Sequence, residues 1–210
     1  MPLVPRSSYP SGSGFVTPTH YVGGDFGGEG IGPTPFDRDE FFEGRGGPDN
    51  LEGGEGNDTL AGQRGDDTLD GGNGDDTLDG GLEKDTLVGM AGNDTLDGGN
   101  QNDVVAGGSG SDTAWGGYGA DKLFASGHDF TTPGGHGRFD PNADSAADDL
   151  APDLLYGGAG NDRLEVWAGD TAYGGAGADR FVVMGEVDTL EAALLIIKDF
   201  KSGTDVIEFG

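Results

Sequence analysis

From Gly44 to Phe124 one apolar position returns every nine residues: Leu51, Leu60, Leu69, Leu78, Leu87, Leu96, Val105, Ala114 and Leu123. Two residues before each stands an aspartate: Asp49, Asp58, Asp67, Asp76, Asp85, Asp94, Asp103, Asp112 and Asp121. A period of nine is neither the 3.6-residue period of an amphipathic helix nor the strict alternation of a long strand. The units begin at Gly44, Gly53, Gly62, Gly71, Gly80, Gly89, Gly98, Gly107 and Gly116, and the best formed runs Gly71-Gly72-Asn73-Gly74-Asp75-Asp76-Thr77-Leu78-Asp79. The last three residues of a unit suit a short strand with its middle side chain turned one way. Glycines at the first, second and fourth places suit a turn with positive φ. A turn of six and a strand of three make half a coil, so eighteen residues complete a circuit. The pattern predicts an all-β fold, a coil of parallel strands with leucines stacked inside and aspartates along two edges. Asp49, Asp67, Asp85, Asp103 and Asp121 fall on one edge, and Asp58, Asp76, Asp94 and Asp112 on the other.

The period divides the chain. Residues 1–43 are rich in Gly, Pro and Ser and read as a flexible lead-in, with Phe36, Phe41 and Phe42 placed to cover the first coil. Within residues 1–8, Leu3-Val4-Pro5-Arg6-Ser7 resembles a thrombin-site remnant of an expression tag and is set aside. Residues 44–124 form the first repeat block and 125–152 an irregular insertion. The period returns over 153–182, with Asp153, Asp162, Asp170 and Asp179 at the aspartate place, one unit being short. In the remaining segment, 183–210, Leu194-Leu195-Ile196-Ile197 and Asp205-Val206-Ile207-Glu208-Phe209 read as two strands joined near Lys201-Ser202-Gly203. This tail suits a cap on the last coil, which a stacked repeat needs.

Charge turns the pattern into chemistry. Lys and Arg number 11 against 39 Asp and Glu, a formal net charge of −28, which disfavours nucleic acid as a partner. Of the 210 residues 45 are glycine, but no Gly-X-Y period makes the chain collagen-like. With no cysteine, disulfides and thiolate metal sites are excluded. No run of 18 apolar residues spans a membrane, and Met1–Phe15 lacks the apolar region of an ordinary signal peptide. A disordered acidic linker would have no need of a leucine two residues after each aspartate. Carboxylates stacked at the strand spacing of about 4.8 Å require a counter-ion. Carboxylate and carbonyl oxygens around a small gap suit calcium, which takes six to eight oxygens, better than magnesium, which keeps its waters. The gaps between coils of the first block predict about seven ions. A leucine column this thin cannot hold the chain against carboxylate repulsion, so the metal-free chain is expected to be disordered and to fold with calcium.

In register and residue type these units resemble the repeats-in-toxin (RTX) family, over about residues 44–124 and 153–182. Glu83 and Gln101 depart from the family's fourth glycine, and Arg45, Gln63 and Met90 from its second, which predicts weaker sites at those turns. The resemblance implies a right-handed parallel β-roll binding several calcium ions, secreted from a bacterium through a one-step (type I) channel. It also implies attachment to an effector such as a pore-former, protease, lipase or alginate epimerase. No such effector shows in the sequence, which has no His-Glu-x-x-His, Gly-x-Ser-x-Gly or Gly-Lys-Ser/Thr motif. The reading is therefore a non-catalytic, calcium-responsive folding and secretion module, with the thirteen repeat aspartates as metal ligands.

Two regions leave room for other functions. The insertion holds His128, Asp129, His136, Asp140, Asn142 and Asp144, ligand types that read first as a plain surface loop. A small hydrolase built there lacks any legible nucleophile–base pair. The ninth place of the unit faces away from the leucines. It is Asp70, Asp79 and Asp97 early, then Val88, Ala106, Trp115, Phe124, Tyr156, Tyr173 and Val182. Such an apolar stripe requires either a cover, from the insertion or the tail, or a ligand. The alternative function is thus a polysaccharide-binding or adhesive module attached to an enzyme or adhesin, with a glycan or another protein domain as partner.

Overall fold

The computed structural model describes residues 19–22, 30–31, 39–126, 151–167, 169–184 and 196–209. Among them are eighteen strands and no helix, and so none long and apolar enough to cross a membrane. The strands alternate between two nine-stranded sheets. The first sheet holds β1 (Thr19–Val22), β3 (Glu40–Glu43), β5 (Thr59–Arg64), β7 (Thr77–Leu82), β9 (Thr95–Asn100), β11 (Thr113–Tyr118), β13 (Leu154–Ala159), β15 (Thr171–Ala176) and β17 (Ile196–Lys198). The second holds β2 (Gly30–Ile31), β4 (Asn50–Glu55), β6 (Thr68–Asn73), β8 (Thr86–Ala91), β10 (Val104–Ser109), β12 (Lys122–Ser126), β14 (Arg163–Val166), β16 (Arg180–Val183) and β18 (Val206–Phe209). Each strand pairs in parallel with the strand one full coil away, as Thr59 with Thr77 and Thr68 with Thr86. The chain is an all-β parallel solenoid, consistent with a right-handed β-roll.

The division between strand and turn differs from the sequence reading. Strands span six residues, from the seventh place of one unit to the third of the next, and the turn keeps only three. Glycines at the first and second places both belong to the ladder, although glycine is a weak strand former; the second place keeps the expected positive φ, +104° at Gly72, and the first place does not. Parallel neighbours on both sides supply the hydrogen bonds that propensity does not reward.

The core is one row per sheet. Leu51, Leu60, Leu69, Leu87, Leu96, Val105, Leu123 and Leu164 are wholly buried, Phe42 continues the row of the first sheet before Leu60, and Phe181 continues that of the second after Leu164. Burying each of these side chains contributes roughly 2 kcal/mol. The two repeat blocks stack in a single register, with β11 on β13 and β12 on β14 across the insertion. The tail strands do not pair with each other: β17 adds to β15 and β18 to β16, each extending its own sheet by one strand.

Val88, Ala106 and Phe124 are buried on the outer face of the second sheet, with Met90 and Val104 packed against them. Residues 127–150, expected to supply a cover, lie outside the described residues.

The departures from glycine remain in the glycine conformation. Arg45, Gln63, Glu83, Met90 and Gln101 all have φ between 75° and 81°. A side chain in this region costs on the order of 1 kcal/mol relative to glycine, partly offset by the freer unfolded chain. Gln101→Gly is therefore expected to raise stability by about 0.5 kcal/mol in calcium. A thermal melt checks this, and a fall in midpoint would contradict it.

Candidate metal centre

Each repeat aspartate sits where a three-residue turn enters a strand, and every one of the thirteen is buried. One carboxylate oxygen is occupied. From Asp58 onward Oδ1 accepts the backbone N–H of the residue one coil earlier, Glu40 for Asp58 and an aspartate thereafter: Asp58 to Asp76 at 2.7 Å, Asp67 to Asp85 at 2.8 Å, Asp85 to Asp103 at 2.9 Å. The columns continue across the insertion, from Asp112 to Asp153 at 2.8 Å and from Asp121 to Asp162 at 3.0 Å. They run on from Asp153 to Asp170 and from Asp162 to Asp179, both at 3.1 Å. The two predicted edges are therefore the two columns of the structure, which assigns the second-block aspartates between them.

The other oxygen is what gives the columns their chemistry. In Asp58, Asp67, Asp76, Asp85, Asp94, Asp103, Asp121, Asp162 and Asp179, Oδ2 is buried and accepts no hydrogen bond from the protein. A buried carboxylate oxygen without a partner is costly, and a row of them calls for a cation. Burial is the main cause that pushes these acids up: Asp76 to about 8, Asp85, Asp94, Asp103 and Asp162 to about 7, Asp58 and Asp121 to about 6. The N–H bond on Oδ1 lowers each value, and carboxylates one coil away raise most of them again.

Glycine shapes the space beside Oδ2. A methyl built on Gly71 would stand 2.5 Å from Asp76 Oδ2 and 2.8 Å from the carbonyl oxygen of Gly89, one coil on. Gly62, Gly80, Gly89, Gly98 and Gly107 make the same cradle with Asp67, Asp85, Asp94, Asp103 and Asp112. Methyls at Gly72 and Gly74 would fall closer than 3.0 Å to the carbonyl oxygens of Gly54 and Gly56. Each turn therefore points carbonyls at its neighbour. The donor set is one carboxylate oxygen per turn with backbone carbonyls around it. Oxygen-only donors fit a hard cation such as calcium. Among the described residues no three His, Cys, Asp or Glu side chains converge on one point, which leaves the carbonyls to complete any site.

Asp170 is built differently. Val166 fills the place of the first glycine, and Asp170 Oδ2 accepts the N–H of Trp167 at 2.7 Å. Asp205, which the sequence reading did not single out, ends the column that begins at Asp49. Its Oδ1 accepts from Asp179 and its Oδ2 from Lys201 N–H at 2.8 Å.

A second ladder was also missed. Side chains at the fifth place accept N–H groups from the following coil: Asp39 from Asn57, Asn57 from Asp75, Asp75 from Asn93, Asn93 from Ser111. It runs opposite to the aspartate ladder and pins each turn from its outer side. Asn or Asp at the fifth place in most of the regular units was the available signal. The insertion residues His128, Asp129, His136, Asp140, Asn142 and Asp144 lie outside the described residues.

The family model for RTX calcium-binding nonapeptide repeats matches residues 36–69, 43–78, 52–87, 79–114, 106–129, 142–170 and 169–190, well over half of the chain. No curated protein and no solved structure matches it significantly.

Proposed function

Because the chain belongs to the family of RTX calcium-binding nonapeptide repeats, we propose that it is an extracellular bacterial module that folds when calcium enters the cradles between its turns. The row of buried, unpartnered Oδ2 atoms carries this reading. Asp49, Asp67, Asp85, Asp103, Asp121, Asp162 and Asp179 would supply carboxylate oxygens on one edge. Asp58, Asp76, Asp94, Asp112 and Asp153 would supply them on the other, and Asp170 would contribute least. Residues 44–124 and 153–182 act as one coil, 125–152 as a surface insertion, and 183–210 as the closing cap.

Calcium at about 1 mM outside the cell lies in the range that such modules bind, while cytosolic calcium is far below it. The chain would stay unfolded where it is made, fit a narrow type I channel, and fold on arrival.

Calorimetric titration of the metal-stripped chain tests the binding. Several calcium ions per chain are expected at roughly 0.1–1 mM, with little heat from magnesium. Asp76→Asn should reduce the number bound or weaken the set. No calcium heat, or equal binding of magnesium, would end this proposal.

A further inference from the structure

The outer face of the first sheet carries a row that the calcium reading does not use. Register aligns Asp79 with Asp97, Asp97 with Trp115, Trp115 with Tyr156 and Tyr156 with Tyr173. The rings stack as a ladder: Tyr173 on Tyr156 at 4.7 Å and 14°, and Tyr156 on Trp115 at 5.8 Å and 5°. The ladder stops at Trp115, because the next two rungs are carboxylates. One indole face is covered by Tyr156, and the opposite face looks along the row toward Asp97 and Asp79. A groove of about 500 Å³ opens at this step, lined by Thr77, Asp79, Thr95, Asp97 and Trp115, with Gly117 leaving it unobstructed. Trp115 is 36 % exposed there.

We propose that this groove binds a planar organic cation of the guanidinium type, presented by an arginine of a basic partner protein. A guanidinium stacked on Trp115 would add the next rung of the ladder, and its edge would donate two hydrogen bonds to Asp97. Three features select it. The indole face is the negative side of the ring quadrupole and attracts cations. Asp79 and Asp97 stand one strand apart, about 4.8 Å, and among the described residues neither forms an ion pair. The chain as a whole carries a formal charge of −28 and steers basic partners toward itself. An anionic polymer is repelled by all three. A neutral sugar would stack on Trp115 but leave the two carboxylates facing each other. An ammonium satisfies the charge without the plane, whereas guanidinium matches both the ring and the carboxylate fork. The site lies on the outward face of the sheet, away from the aspartate columns at the turns.

The test titrates the calcium-loaded chain with acetyl-Gly-Arg-Gly-amide, following heat and indole fluorescence, with lysine and citrulline peptides in parallel. The arginine peptide is expected to bind at least threefold tighter than the lysine one, roughly the worth of the added hydrogen bond of the guanidinium fork, and citrulline not at all. Asp97→Asn and Trp115→Leu should each weaken it about threefold, and Asp79→Asn with Asp97→Asn about tenfold. Glu55→Gln, an exposed acid outside the groove, should change nothing. Trp115→Tyr keeps an aromatic face and should retain most of the binding. The circular dichroism of Trp115→Leu in calcium shows whether its loss of binding is only misfolding. Equal binding of arginine and lysine peptides, unmoved by the double asparagine variant, would reduce the effect to diffuse charge and overturn the site. Binding of a neutral oligosaccharide in place of the arginine peptide, lost in Trp115→Leu, would overturn it in favour of a glycan.

Discussion

Stripped of divalent cations at about pH 8, the chain is expected to show the circular dichroism of a coil, and acidification to about pH 5 should restore β signal without metal. The reason lies in the two carboxylate columns. Burial first, and then in most of them neighbouring carboxylates, lift Asp76 to about 8 and Asp85, Asp94 and Asp103 to about 7 in the folded chain, against 3.8 for the ordinary group. A group whose folded value is raised binds its proton more tightly when folded. Its contribution to stability is therefore complete below about pH 4 and lost as pH rises through about 6 to 8. At neutral pH and above, the metal-free coil must hold ionised carboxylates in a row, and it unfolds. Protons or calcium can each relieve that row, and they compete for it. Calcium affinity should consequently fall at least about tenfold between pH 8 and pH 6, since binding must release protons. Asp76→Asn and Asp94→Asn, which mimic the protonated side chain, should lessen the acid requirement of the metal-free fold. The account fails if the stripped chain remains a coil at pH 5, or if calcium binds equally at both pH values.

Much of this arrangement was legible in the spacing of two residue types. Leucine at the eighth place and aspartate at the sixth, read with a half-coil of nine, put Asp67 beside Asp85 and Asp58 beside Asp76, where the structure has them. The extent of the strands was not legible. Gly71 and Gly72 have no side chain to signal a sheet, and only pairing with both neighbouring coils makes them part of a strand. The ladder at the fifth place was hidden for another reason. Asn57 and Asp75 read as ordinary turn formers, and nothing local shows that their oxygens reach the next coil rather than their own turn. The stack of Trp115 on Tyr156 depends on a register that skips the whole insertion, a jump of 41 residues that the nine-residue period cannot count across. Sequence periodicity thus reports what recurs within a coil and loses what an interruption brings together.

Gly71→Ala is expected to cost about 3 kcal/mol or more in calcium, a large penalty for one methyl group at a residue outside the positive-φ region. Backbone strain does not explain such a cost, so the substitution isolates the cradle itself. The methyl would stand 2.5 Å from Asp76 Oδ2 and 2.8 Å from the Gly89 carbonyl, in the space where an ion would touch both oxygens. Gly203→Ala offers the opposite case. Its φ is +102° but nothing lies within 4 Å, so only conformational strain of about 1 kcal/mol is expected. The chain already contains an instance of a filled cradle. Val166 stands at the first place, and Asp170 nearby turns its Oδ2 to the Trp167 N–H at 2.7 Å. Paired thermal melts and calcium titrations of the two alanine variants separate the effects. Gly71→Ala should lower both the melting midpoint and the number of ions bound, whereas Gly203→Ala should lower only the midpoint, and by less. If Gly71→Ala binds the full complement of calcium, the ion does not sit between the first glycine and the aspartate, and the cradle has to be placed elsewhere in the turn.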